Sequence, residues 1–334
     1  MKFLTFKSEP KYHIDGLTNK ILIQKITTMK KVSIILCTVM AFAFSTKSNA
    51  QEFYVRGGLG YSLESGGTEF NNADPNGLTQ ITQSTDISYG PDGARVKALN
   101  GTLGSGFKGN VTFGYMFNPY IGAELGFNYF SGEEKTIGKL NRPDIQSEAK
   151  AYLEGLDVMP AIYLTPAFSK LNPYARIGLL IPAAGKLHID TQVYQPTLLN
   201  EEEVVVATDV NTRARTEVES RFSVGFAGAL GVTYPISPKM HIFGEVEFKN
   251  LSIKSKSAEI KEFETIGNVG GNRIPLPGGQ LADMPTNETH FEFEDTHTEN
   301  PATANPNEPR KIPTQYVNAS GIGFNVGIRY SFGK

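Results

Sequence analysis

Gly321-Ile-Gly-Phe-Asn-Val-Gly-Ile-Arg-Tyr-Ser-Phe332 alternates without a fault. Ile322, Phe324, Val326, Ile328, Tyr330 and Phe332 fall on one face. Gly321, Gly323, Asn325, Gly327, Arg329 and Ser331 fall on the other. A strict period of two is the mark of a β-strand with one apolar and one polar side. A strand that crosses a bilayer needs about 9–11 tilted residues with its apolar side chains toward lipid. This stretch has that length and ends in aromatic residues suited to a membrane interface.

The same pattern recurs upstream. Phe53, Val55, Leu59 and Tyr61 alternate with Tyr54, Arg56, Gly58 and Gly60, and Phe107 to Phe117 and Ile121 to Tyr129 repeat it. A run from Tyr152 to Leu164 is interrupted by Pro160, which removes one ladder hydrogen bond. Tyr174 to Ile181, Phe222 to Tyr234 and Ile242 to Lys249 bring the expected number of strands, with the last, to eight. The connections alternate in length. Asn118-Pro119, Thr165 to Asn172 and Ser237 to Lys239 are short and rich in turn residues. Ser62 to Thr102, Ser131 to Ala149, Pro182 to Arg221 and Leu251 to Gln315 are long and polar. Residual alternation in the last two (Leu187, Ile189, Val193; Ile253, Ile260) predicts hairpins that project past the bilayer. Short turns on one rim and long loops on the other fit an eight-stranded antiparallel up-and-down transmembrane β-barrel with long extracellular loops.

The first fifty residues read differently. Met29-Lys30-Lys31 precedes an apolar run, Val32 to Phe44, and Ser48-Asn49-Ala50 forms a small-x-small cleavage site, so residues 1–50 read as a leader with a secretory signal peptide. The run falls short of the roughly 20 residues of a membrane-spanning helix. Translation is expected to start at Met29 and cleavage to follow Ala50, leaving residues 51–334 as the barrel domain. Eight lysines against Glu9 and Asp15 give the leader +6, so the whole chain's −2 puts the remainder at −8. That acidity argues against nucleic acid as a partner. The single cysteine, Cys37, lies in the leader, which removes disulfide, thiol and zinc-thiolate chemistry from the rest.

Orientation follows from the polar face, which is crowded with glycine (58, 60, 104, 106, 114, 122, 126, 178, 225, 231, 323 and 327). Small residues suit the interior of a narrow barrel, which side chains nearly fill. The apolar face therefore points to lipid, where a charge costs about 2–4 kcal/mol near mid-bilayer. Val326→Arg is expected to impair insertion, and Asn325→Ser to be tolerated. With its leader, alternating strands and aromatic-ended final strand, the chain resembles the small outer-membrane β-barrel family. That group includes the OmpA transmembrane domain, OmpX-like and OmpW-like proteins and the porin-like barrel domain. The resemblance implies a Gram-negative-type outer membrane as location and export by the signal peptide. It also implies insertion through Phe324, Val326, Ile328, Tyr330 and Phe332 by the barrel-assembly machinery. Outer-membrane lipid and lipopolysaccharide are the expected partners, in a monomer. The peptidoglycan-binding segment of full-length OmpA is not expected here, so cell-wall tethering is not carried over.

The candidate site is the charge on the inward face: Arg56, Lys108, Arg176, Lys249 and Arg329 with Glu124, Asp157, Glu245 and Glu247. Such a set either gates an ion pathway or plugs the lumen with compensating pairs, and its near-balance favours a plug. The acids between Asp283 and Glu308 (Glu288, Glu292, Glu294, Asp295, Glu299) suggest a solvated, mobile loop rather than a metal site, since Ca²⁺-loop spacing is absent. Gly104 to Gly109 matches G-x-G-x-x-G but lies in strand context, where the fingerprint has no meaning. His188, His241, His290 and His297 have no nameable catalytic partner, so no catalytic residue, cofactor or metal is expected. The expected role is structural or concerned with permeability, including that of a narrow porin-like channel. The alternative is an adhesion or ligand-binding barrel acting through its loops, and a lipid-modifying enzyme ranks third.

Overall fold

Ten or more alternating residues repeated along a chain build a sheet, and the computed structural model is almost entirely sheet. It describes residues 52–70, 84–199, 205–296, 298 and 305–332. The leader and its cleavage site lie outside the described residues. Eight strands carry the frame: β1 (Glu52–Glu64), β2 (Gly106–Met116), β3 (Ile121–Gly132), β4 (Ile145–Leu164), β5 (Asn172–Leu199), β6 (Gly225–Pro235), β7 (Met240–Asn250) and β8 (Gly321–Ser331). All their pairings are antiparallel: β1 with β2, β2 with β3, β3 with β4, β4 with β5, β5 with β6, β6 with β7 and β7 with β8. β8 pairs in turn with β1, through Val55↔Tyr330, Leu59↔Val326 and Leu63↔Ile322. The pairings thus return to their start.

The number of strands corrects the expectation of eight. Nineteen are present among the described residues, because the long connections are themselves largely strand. Lys135–Arg142 pairs with β4, Val205–Ser220 pairs with β5, and Ser252–Val269 pairs with Val205–Ser220. β4 and β5 run 20 and 28 residues, well past the 9–11 a bilayer requires. The sixth strand also begins later than expected: Phe222 to Val224 stand outside it. There the chain crosses between neighbours, and the Ser223 hydroxyl accepts from Lys254 N and donates to Arg221 O.

The acidic segment is a second correction. Leu281–Asp283 and Thr286–Thr289 are short helical turns, and His290–Glu294 is a strand beside Ser252–Val269 and parallel to Arg310–Pro313. Phe291 and Phe293 are buried among Leu153, Ile253 and Ile260, while Glu292 stays outside. Alternation thus packs a segment whose acidity suggested a mobile loop. Glu299 and His297 lie outside the described residues.

The short connections carry the expected turn chemistry. Asn118 Oδ1 accepts from the backbone N–H of Tyr120 and Ile121, and the Thr165 hydroxyl lies within hydrogen-bond distance of both Asn172 Oδ1 (2.8 Å) and Pro173 O (2.9 Å). Along β5, Ile177 and Leu179 face outward, whereas Leu187, Ile189 and Val193, of the same parity, face inward. The pairing with β4 slips by one residue between Pro182 and Ala184, and such a bulge exchanges the two faces of a strand. β4 keeps its parity and changes composition instead: Leu156, Pro160, Ile162 and Leu164 are the exposed residues below Glu154, and Tyr152, Lys150 and Glu148 share their side above it.

Candidate functional site: a charged lumen beneath two cavities

Burial on the eight paired strands is inverted relative to a water-soluble protein. Leu230 is 71% exposed and Val326 66%, with Leu59, Phe113, Ile162, Ile177 and Phe324 also outside. Arg56 is 2% exposed, and Glu124, Asp157, Arg176, Glu245 and Lys249 are buried with it. Charged residues are almost never so buried unless paired, and this much contiguous exposed apolar surface marks a face that meets something other than water.

All nine charged residues of the sequence reading lie on the inner side. Four of them, one from every second strand (β1, β3, β5, β7), meet across the lumen. Arg56 Nη2 is 2.7 Å from Glu245 Oε2, and Arg56 Nη1 is 3.5 Å from Glu124 Oε1. Arg176 Nη2 is 2.6 Å from Glu245 Oε1, and Arg176 Nη1 is 3.2 Å from Glu124 Oε2. Two guanidinium groups and two carboxylates thus alternate in a ring. Tyr54 OH donates to Glu124 (2.7 Å), Tyr174 OH to Glu245 (2.7 Å) and Asn325 Nδ2 to Glu245 (2.8 Å). The Arg56 guanidinium also lies 4.0 Å over the Phe243 ring. Buried charges are tolerated when paired and saturated with hydrogen bonds, as these are.

Toward the end with the short turns, Tyr54, Met116, Tyr163, Tyr174 and Phe243 form an apolar collar. The Arg329 guanidinium sits 3.7 Å over the Tyr54 ring and reaches Glu52 at 3.5 Å. Glycine opposite each tyrosine makes the collar possible. A Cβ on Gly114 would lie 2.1 Å from the Tyr54 ring, and one on Gly231 would lie 2.5 Å from that of Tyr174. Below the collar a mouth of about 290 Å³ is lined by Glu52, His241 and Arg329 among others.

Toward the other end, Lys108 Nζ pairs with Glu247 at 2.6 Å, and Asn128 Nδ2 donates to Asp157 at 2.5 Å. Lys249 Nζ lies 4.5 Å over the Phe130 ring. Above this level the interior becomes apolar, with Leu153, Leu187, Val218 and Ile253 buried together. A small cavity of about 50 Å³ reaches down to Lys249 and Asp157. A larger space of about 590 Å³, lined by Leu103, Ile137 and Ile189 but also by Glu69, Asn250 and Gln315 among others, lies between the long connections.

The histidines stand apart from this centre. His188 stacks on Tyr152 (4.7 Å) and lies 3.9 Å from Glu154 and Glu217, and His290 Nδ1 is 2.9 Å from Thr289 Oγ1. Among the described residues no three His, Cys, Asp or Glu are arranged to hold a metal. The sequence reading missed Tyr54, Tyr174 and Asn325 as members of the site. Their signal was parity: each shares the inward register of a charged residue two or four positions along its own strand (Arg56, Arg176 and Arg329).

Among solved structures, the chain is similar to outer-membrane proteins. OprG from Pseudomonas aeruginosa is 15% identical (TM-score 0.40), covering 85% of this chain and 97% of that one. A major outer membrane protein from Thermus thermophilus is 10% identical (TM-score 0.31; 85% and 100% covered). Outer membrane protein W of E. coli is 15% identical (TM-score 0.27; 85% and 98% covered). No curated protein matches the chain. The family model described as outer membrane protein beta-barrel domain matches residues 32–270, more than half of the sequence. By that match the chain belongs to the outer membrane protein beta-barrel domain family, and its place is an outer membrane.

Proposed function

We propose that the circuit β1–β8 is an eight-stranded up-and-down transmembrane barrel whose lumen is closed, and that the protein acts through the sheet extending above it, as a ligand-binding barrel. The observation that carries this is the ring of Arg56, Glu124, Arg176 and Glu245, whose members come from alternate strands and leave none of their charge exposed. A conducting pore needs charges that water and ions can reach. The space of about 590 Å³ above the ring is within the range, about 300–1,000 Å³, that small-molecule sites occupy. Part of its wall, including Ile137, Ala151, Leu187 and Ile189, is strand, which holds side chains more firmly than loops do.

In this reading the short turns are periplasmic and the long, sheet-forming connections extracellular. The exposed apolar band contacts lipid, lipopolysaccharide surrounds the extracellular rim, and β8 carries the chain to the assembly machinery. The residues named here bind and position, and none is assigned a catalytic step. The test is single-channel recording on the folded chain in a planar bilayer, with folding verified by heat-modifiable gel migration. A silent bilayer is expected. Discrete, reproducible steps would overturn the closed-lumen reading and return the narrow porin-like channel to first place.

A further inference from the structure

Every lumen carboxylate has a close polar partner, but one lumen cation does not. Lys249 is 7% exposed, its ammonium rests over the Phe130 ring, and among the described residues it makes no ion pair within 4.0 Å. Of the carboxylates at its level, Glu247 is held by Lys108 and Arg176, and Asp157, which accepts from the Asn128 amide, faces the ammonium from beyond 4.0 Å. A buried ammonium with three donors and no acceptor is costly. The side chain lines the cavity of about 50 Å³, whose other walls include Leu153, Leu187, Val218 and Ile253. One water requires about 10–15 Å³ by this measure, so the space takes a few polar atoms, the size of a carboxylate. The cavity shares Leu187 and Val317 with the larger extracellular space, so the two adjoin.

From a cation at the bottom, apolar walls above it and a larger space beyond whose wall joins apolar side chains (Leu103, Ile137, Ile189) to polar ones (Asn250, Ser252, Gln315), we infer that the protein binds a single-chain anionic amphiphile. Its carboxylate or phosphate head sits on Lys249 and its alkyl chain runs past Leu187 into the extracellular cavity. Three acids lie on the cavity wall: Asp157 accepts from the Asn128 amide, Glu219 is held by Lys256 at 3.1 Å, and Glu154, half-exposed, lies 3.9 Å from His188. The inference rests on the ligand-binding reading above and specifies its ligand.

The probe is dodecanoate labelled with ¹³C at the carboxyl carbon, titrated into the full chain folded in a neutral detergent. 1-Dodecanol and acetate serve as competitors. One saturable site per chain is expected, with dodecanol at least tenfold weaker and acetate without effect. Lys249→Met should weaken binding at least tenfold and Lys249→Arg should restore most of it. Val218→Trp should abolish binding by filling the cavity without touching the charge. Heat-modifiable migration confirms that each variant is folded. Equal binding of dodecanol, unchanged affinity in Lys249→Met, or no dodecanoate bound to the wild type would each overturn the inference. None of these bears on conduction, so the closed-lumen reading stands or falls separately in the planar bilayer.

Discussion

Glu245 is the side chain on which the closed lumen depends most. Its two oxygens accept from Arg56, from Arg176 through both Nε (3.2 Å) and Nη2, from Tyr174 and from Asn325. Glu245→Ala leaves two guanidinium groups with Glu124 and, for Arg176 alone, the more distant Glu247, and strips Tyr174 of its acceptor and Asn325 of its nearer one. Removing one partner of a buried ion pair costs about 3–5 kcal/mol, chiefly through the charge left behind. With an m-value of about 2 kcal/mol per molar urea, that lowers the unfolding midpoint by about 2 M. The assay is equilibrium urea unfolding in lipid vesicles, followed by far-ultraviolet circular dichroism, since the chain has no tryptophan. A second variant separates lost charge balance from lost packing. Arg176→Met with Glu245→Leu leaves Arg56 opposite Glu124 at one charge each. It should recover most of the loss, giving a coupling of about 2 kcal/mol between the two positions. A midpoint for Glu245→Ala within about 0.3 M of wild type, or a double variant no better than the single one, would refute the argument that paired charge holds the lumen closed.

Other outcomes follow from the same geometry. Val326→Arg should reduce folding yield in liposomes by placing a charge on an exposed outward position, at a cost of about 2–4 kcal/mol, while Val326→Leu should fold as wild type. Asn325→Ser, harmless by sequence pattern alone, should instead cost about 1.5–3 kcal/mol in urea unfolding, since the buried amide that donates to Glu245 is lost. Gly231→Ala should destabilise by about 1–3 kcal/mol, because the new methyl meets both the Tyr174 ring and Gly244 O. Gly244→Ala, with nothing within 4 Å of its Cβ, should not. Phe291→Ala should cost the extracellular sheet about 3–5 kcal/mol, read as faster limited proteolysis there with heat-modifiable migration of the barrel retained.

Where a strand lies between lipid and a glycine-lined interior, its sequence announces itself. In β8 the pattern contains both the strand and its orientation, and Asn325 and Arg329 fall on the inner face as parity requires. Above the membrane the same rule is harder to apply. Around Leu187 and Ile189 or Ile253 and Ile260, the apolar residues face inward and the polar ones face water, so the mean composition resembles that of a loop. The bulge between Pro182 and Ala184 then breaks the count of alternate positions. Phe291 and Phe293 were hidden similarly by the acids between and around them. Within the lumen, parity placed all nine charges on one face, but it could not say which would touch. That depends on strand stagger: Arg56, Glu124, Arg176 and Glu245 meet at one level although they are scattered over 190 residues of chain. Lys249 shares their parity, yet stagger lifts it away from their carboxylates and into an apolar cavity.

Inversion along β4 locates the edge of the bilayer, and it can be tested without knowing any ligand. Glu154, Leu156 and Ile162 share one side of the strand. Glu154 exposes 46% of its side chain, and Leu156 and Ile162 are exposed residues, so in water alone all three would be open to a reagent. Only lipid distinguishes them. Successive same-face positions are about 6.6 Å apart along a strand, so Ile162 lies some 20 Å below Leu156 and Glu154 a single step above it. Cys37 is the only cysteine, and a Cys37→Ser background allows single cysteines to be placed at each site. A membrane-impermeant maleimide applied to the protein in vesicles should label Glu154→Cys rapidly and Ile162→Cys hardly at all. Leu156→Cys, at the boundary, should fall between them, and all three should react alike in urea. If Ile162→Cys reacts as fast as Glu154→Cys in the folded state, its exposed apolar side faces water. The strands that carry Arg56 and Glu245 would then enclose a soluble interior, and the assignment of lipid to the outer face would have to be abandoned.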